Sequence, residues 1–337
     1  MAYDWADRLV IAVSPEVLFV PDQKPENGET KGKKKETAQT LKPGPAFPFI
    51  SGLLELKKRA ELEERIEVIL VSGEEAGASM ALYRALAFYE VKISRFLFTG
   101  GSSPVPYLQA FCTDLFLSFD AEAVQEAADG GIAAGLMWET ERKGRLPDQY
   151  LRLAFDGDAV LFSDDSERIY REQGLETFEA HETEHAREPL AEGPFAGFLK
   201  KLTQIRRLTD TPCIRTALVT ARCAPAHERV IRTLKAWDVD VDEMFFLGGL
   251  PKKEILDAFG AQLFFDDQRL HVVSAAEFVP AALVPCRQNR KEKTGRKHEI
   301  RQYSGGHLSG ASEPVYRLRG TWRQEGDGPC KKYGQMP

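Results

Sequence analysis

Apolar residues in this chain come in short runs, each ending in small or polar residues and followed by a stretch with helical spacing. Arg8–Val13, Ile66–Ser72, Phe96–Thr99, Asp114–Ser118 and Ile132–Trp138 read as strands. Between them, Phe49–Glu64, Ala76–Tyr89, Val105–Phe111 and Ala121–Ala128 carry apolar residues at helical intervals. The pattern then starts again. Leu153–Phe155, Thr216–Ala221, Met244–Leu247 and Leu263–Asp267 read as strands, with Ala226–Trp237 and Lys252–Phe259 as helices. Strands alternating with helices predict an α/β fold of Rossmann-like parallel sheets.

The second round repeats the first. Shifted by 148 positions, Leu70–Phe119 lies on Leu218–Asp267 without a gap, and fifteen of the 50 positions are identical. They include the turn glycines Gly100/Gly248 and Gly101/Gly249, Arg84/Arg232 and Phe116/Phe264. Strand hydrophobicity alone does not reproduce turn glycines and helix positions in one register. The chain is therefore expected to be internally duplicated. Ser14 falls opposite Asp156 at a shift of 142, which the intervening loops can absorb.

The copies differ where chemistry is expected. In an open α/β sheet, ligands bind at the carboxyl ends of the strands. There the second copy carries Asp156, Asp158, Lys252, Asp266 and Asp267, where the first has Ser14, Glu16, Pro104, Ser118 and Phe119. Converging carboxylates repel one another unless a cation sits among them, and hard oxygen donors suit Mg2+. A lysine and the Thr220 hydroxyl can hold phosphoryl oxygens, and a carboxylate can attack phosphorus.

Asp156-Gly157-Asp158-Ala159-Val160 resembles the first motif of the haloacid dehalogenase phosphatase superfamily. Thr220, Lys252 and Asp266-Asp267 resemble its second, third and fourth motifs, in that order. Across Ala154–Gln268 the chain is similar to the cytosolic 5′-nucleotidase type I family. Phe155–Asp164, Glu192–Phe195, Ala217–Arg222, Ala224–Arg229, Phe246–Leu250 and Phe264–Gln268 carry that match. The resemblance implies a Mg2+-dependent phosphomonoesterase that hydrolyses nucleoside 5′-monophosphates, AMP or IMP being expected. It makes Asp156 the nucleophile and a metal ligand, and Asp158 the general acid and then base, its backbone carbonyl facing the metal. Asp266 and Asp267 complete the metal site, Thr220 and Ala221 bind the phosphate, and Lys252 stabilises the phosphorylated aspartate. Lys253 is adjacent, and its neighbour is preferred because it follows the Gly-Gly turn. The same resemblance reads Asp164–Asp210 as a small helical cap. A phosphatase for another small ester, and a non-catalytic nucleotide-binding protein, are the alternatives.

This organisation divides the chain into a degenerate half at 8–145, with a flexible loop at 22–44, and a catalytic half at 150–285. Composition adds the remainder. The net charge of −6 hides a division, because the segment from Cys286 onward carries 12 Lys/Arg against 5 Asp/Glu. That basic, glycine-rich tail (286–337) is expected to be disordered. An acidic body argues against nucleic acid as a main partner. No apolar run is long enough to span a membrane, and the start lacks the pattern of a signal peptide. Five scattered cysteines suit reduced thiols in a cytoplasmic protein. A homo-oligomer is compatible with all of this.

Overall fold

The computed structural model describes residues 5–21, 41–74, 80–140, 148–209 and 213–286. The first half runs β1 (Leu9–Val13), α1 (Pro15–Leu18), β2 (Phe19–Pro21), β3 (Leu41–Pro43), α2 (Phe47–Arg59), β4 (Ile66–Ser72) and α3 (Met80–Phe88). It continues with β5 (Arg95–Phe98), α4 (Val105–Ala110), β6 (Leu115–Ser118), α5 (Ala121–Asp129) and β7 (Ala133–Met137). The second half runs β8 (Leu151–Phe155), α6 (Asp165–Glu184), α7 (Ala196–Arg207), β9 (Ile214–Thr220), α8 (His227–Ala236) and β10 (Glu243–Phe246). It ends with α9 (Lys253–Phe259), β11 (Leu263–Asp266), α10 (Arg269–Ala276) and β12 (Ala281–Leu283). Strands covered by helices on both faces read as unbroken apolar runs, and β1, β4 and β11 are buried at every residue.

The ten long-sheet strands lie in the order β10-β9-β8-β11-β12-β7-β6-β1-β4-β5. Matching each strand to its repeat shows that this order is a palindrome, with β7 and β12 as its centre. Every neighbouring pair is parallel except that one, where Ala282 opposes Met137 and Leu283 opposes Leu136. The expected parallel sheets are thus fused into one mostly parallel sheet with an antiparallel seam. The seam has a consequence for function. Because the halves run in opposite directions, the carboxyl ends of their strands lie on opposite edges of the sheet.

Backbone detail repeats between the halves. Ser14 N–H donates to the Leu117 carbonyl at 3.0 Å, and Asp156 N–H to the Phe265 carbonyl at 2.8 Å, which fixes the Ser14/Asp156 pairing. Asp114 accepts from Val10 N–H at 2.8 Å as Gln262 accepts from Arg152 N–H at 2.6 Å. Gly100 and Gly101 have φ of 55° and 85°, and Gly248 and Gly249 have 58° and 85°. That left-handed pair is why glycine stands there in both copies.

The repeat also locates the inserted segment. Gly44 N–H donates to Leu18 O and Gly193 N–H to Leu161 O, so the chain before α2 and before α7 is held alike. α7 then buries Phe198, Leu199, Leu202 and Ile205 in the main core, as α2 buries Ile50, Leu53 and Leu56. The stretch expected as a cap, 164–210, therefore holds two things: α7 belongs to the sheet's helical layer, and α6 projects from it. Within α6, Gly174 breaks the helix at φ 84° and ψ 176°. A straight helix would set Ser166 and Glu182 about 24 Å apart, yet the Ser166 hydroxyl donates to Glu182 at 2.9 Å. The element is a helical hairpin that folds back on itself.

Residues 22–40 of the expected 22–44 loop lie outside the described residues, but Leu41–Pro43 pair with β2 as an antiparallel strand. The tail, 287–337, is likewise outside them. Among the described residues no helix is long and apolar enough to cross a membrane.

A Cβ on Gly193 would fall 2.4 Å from the Phe162 carbonyl oxygen and 2.5 Å from that of Val160. Gly193→Ala should therefore force the backbone apart and destabilise the protein by about 1–3 kcal/mol. Chemical denaturation of both proteins measures this, and an unchanged midpoint would contradict the packing described.

Candidate active site

β8 and β11 are neighbours, so their apolar bodies bring Asp156 and Asp266 to the same edge. An aromatic cluster fixes that edge from below: Phe155 stacks on Phe265 with ring centres 5.4 Å apart, and Phe195 lies 4.7 Å from Phe265. Asp156 is buried and accepts a hydrogen bond from Gly157 N–H at 2.7 Å. The chain then turns sharply through Gly157–Leu161, with Ala159 at φ 59°. Thr220 ends β9 in a buried position, and a Cβ on Gly157 would lie 3.1 Å from its Oγ1. Ala221 is exposed just beyond it.

Lys252 is the cation of this edge. Its Nζ lies 2.9 Å from Asp156 Oδ1 and 2.7 Å from Asp266 Oδ2, and the side chain is 4% exposed. Lys253 turns away, its Nζ 5.3 Å above the Phe278 ring. Burial works against a charged Lys252, but Asp156 and Asp266 outweigh it and hold the ammonium above its ordinary range. Burial also opposes ionisation of Asp266, and Lys252 with His271 reverses that and holds it low. Asp266 further accepts from Gln268 N–H at 2.8 Å, and His271 Nδ1 sits 3.1 Å from its Oδ2.

One positive side chain does not satisfy the remaining carboxylates. Burial, with Lys252 only partly compensating and Asp266 repelling, pushes Asp156 up to about 7. Burial and repulsion from Asp156, Asp266 and Glu167 push Asp267 up to about 8. Asp267 Oδ1 is buried and has no hydrogen-bond partner among the described residues. A buried orphan acceptor among repelling carboxylates is what a hard divalent cation would relieve, so these residues fit Mg2+. Donor atoms of Asp156, Asp266 and His271 already lie within 4.8 Å of one another.

Six of the seven residues expected at this site thus gather at one edge, and the seventh, Asp158, lies two residues beyond Asp156 in the turn that follows β8. Its carboxylate is held by Arg222, with Nε to Oδ2 at 2.8 Å and Nη2 to Oδ1 at 2.6 Å. Arg222 is read from the sequence only as part of a matching string, yet its side chain is 2% exposed and it also grips Glu182 of α6. Its place two residues after Thr220 is the one signal that could have marked it. His271 and Glu182 give no such signal. His181 and His185, four apart on α6, stack at 4.2 Å, and His181 Nδ1 approaches Glu182 at 3.3 Å.

On the opposite edge, Ser14, Ser72 and Ser118 stand where Asp156, Thr220 and Asp266 stand here. The Ser118 hydroxyl donates to Glu16 at 3.3 Å. Among the described residues, Pro104 stands at the position matching Lys252 and Ser118-Phe119 at those matching Asp266-Asp267.

Comparison with known proteins gives the family. The chain is 38% identical over 247 residues to human cytosolic 5′-nucleotidase 1B. The alignment covers 70% of this chain and 40% of that relative, so the chain spans less than half the relative's length. No solved structure matches. The family described as 5′-nucleotidase matches residues 1–291, and this chain belongs to it.

Proposed function

We propose that the chain is a Mg2+-dependent 5′-nucleotidase that hydrolyses nucleoside 5′-monophosphates, AMP or IMP, through a phosphorylated Asp156. The observation that carries this reading is the buried Lys252 ammonium bridging Asp156 and Asp266 at the strand ends of a 5′-nucleotidase-family chain.

Each residue has a role that its position supports. Asp156 attacks phosphorus, so that a carboxylate–phosphorus bond forms as the bond to the nucleoside oxygen breaks. Asp158, protonated as substrate binds, gives its proton to that departing oxygen and is left as the carboxylate that Arg222 pairs with. Water then attacks phosphorus, the bond to Asp156 breaks, and Asp158 takes the water's proton. Lys252 stabilises negative charge on the phosphoryl group while keeping Asp156 oriented. Thr220 donates its hydroxyl to a phosphoryl oxygen, and the exposed backbone of Ala221 extends the same cradle. Mg2+ would be held by Asp156, Asp266, Asp267 and the Asp158 carbonyl, and when bound it supplies a Lewis acid for phosphoryl oxygens. The α6 hairpin, anchored to the edge where Gln268 Nε2 donates to Glu167 at 3.2 Å, covers the site and excludes water.

A panel of nucleoside monophosphates and sugar phosphates, assayed for phosphate release, tests the substrate class. Release from nucleoside 5′-monophosphates should require Mg2+ and stop with EDTA. Release from sugar phosphates alone would overturn the nucleotidase assignment.

Asp156→Asn should lower turnover by more than about a thousandfold while leaving the far-ultraviolet circular dichroism spectrum unchanged. Wild-type turnover in this variant would mean that another residue is the nucleophile.

Lys252→Met should cost roughly a hundredfold or more in turnover, because it removes charge stabilisation at the phosphoryl group. Lys253→Met should leave turnover unchanged. The opposite ranking would show that the adjacent lysine enters the site.

A further inference from the structure

Among the described residues, the Asp158 carboxylate forms no hydrogen bond or ion pair with Lys252. Its two oxygens are taken by one guanidinium, Arg222 Nε and Nη2, in a two-point fork. Such a fork fixes both the position and the plane of a carboxylate, which a lysine at the same distance would not do. Arg222 is in turn fixed from the far side. Its Nη1 donates to Glu182, and its guanidinium lies 5.5 Å from the centre of the Phe178 ring. Glu182 is fully buried, and Arg229 at 2.8 Å and the Ser166 hydroxyl at 2.9 Å complete its partners, with the His181 ring alongside.

Ser166, Phe178, His181 and Glu182 all belong to α6. That segment contains no residue of the four motifs. Yet its second arm closes on Arg222, the residue beside Asp158, through Phe178 and Glu182, while Ser166 of the first arm holds Glu182. The chain of contacts runs from the hairpin, through one buried carboxylate and one guanidinium, to the Asp158 carboxylate.

We propose that Glu182 and Arg222 are positioning residues for proton transfer, with Glu182 of the α6 hairpin holding Arg222 and Arg222 holding Asp158 toward the departing nucleoside oxygen. The inference rests on the proposed role of Asp158 and extends it. The hairpin would then set the geometry of the acid as well as cover the site. Replacement of Glu182 would impair proton delivery to the leaving group without touching substrate.

The test compares two esters. A nucleoside 5′-monophosphate leaves as an alkoxide and needs a proton, whereas p-nitrophenyl phosphate leaves as a stable phenolate and does not. kcat/KM reports steps up to the departure of that group, so the comparison isolates the acid. Glu182→Gln and Arg222→Lys should each lower kcat/KM for the nucleotide by roughly 10–100-fold. For p-nitrophenyl phosphate they should lower it by no more than about threefold. The same substitutions made on an Asp158→Asn background should add no further loss on the nucleotide, because the residues act through one group. Arg222→Lys keeps the positive charge and so guards against misfolding by Glu182→Gln. Equal losses on both esters, or losses that add to that of Asp158→Asn, would overturn the positioning role and leave the nucleotidase reading standing. A wild-type chain that hydrolyses neither ester would overturn both.

Discussion

Everything at the active edge follows from crowding carboxylates into a buried place. Asp156, Asp266 and Asp267 arrive on the ends of strands whose bodies are apolar, and burial there penalises each negative charge. Lys252 offsets part of that penalty by contacting two of the three, and it is itself held ionised by them. Such a pair is poor as pure scaffolding, since apolar residues of similar size would stabilise as well or better. In the proposed reaction its worth lies in chemistry: a fixed cation beside a fixed carboxylate, with one acceptor, Asp267 Oδ1, unpartnered among the described residues.

The duplication sets where this edge lies in the sheet. One α/β unit, used twice and joined through an antiparallel seam at β7 and β12, gives a single sheet with two carboxyl edges facing opposite ways. Among the described residues the first copy carries Ser14, Ser72 and Ser118 where the second carries Asp156, Thr220 and Asp266. What it kept is what the fold needs. The left-handed glycine pair, the close approach at Gly44 and Gly193, and the paired backbone contacts of β1 and β8 serve packing in both copies.

Much of this was legible in the chain. Strand bodies are apolar because both faces are covered, so their ends, and with them Asp156, Thr220 and Asp266, could be placed by pattern alone. The choice of Lys252 over Lys253 after the glycine turn came from the family resemblance and not from pattern. The seam was not legible, because β12 is three residues long and carries no periodic signal. Nor was Glu182, which sits in a run of charged residues that reads as a solvated helix face. Its burial depends on the break at Gly174 folding α6 back, and on Arg222 and Arg229 arriving from β9 and α8. Long-range charge pairs of this kind leave no mark on local sequence.

The central claim is that Asp156 becomes covalently phosphorylated. The most direct measurement is to mix the protein with a nucleoside monophosphate and Mg2+, quench rapidly in acid, reduce with borohydride and map the peptides by mass spectrometry. The account predicts reduction of a single acyl phosphate, at Asp156, and none without substrate. A modified residue elsewhere in the chain, or steady phosphate release with Asp156 never modified, would contradict it.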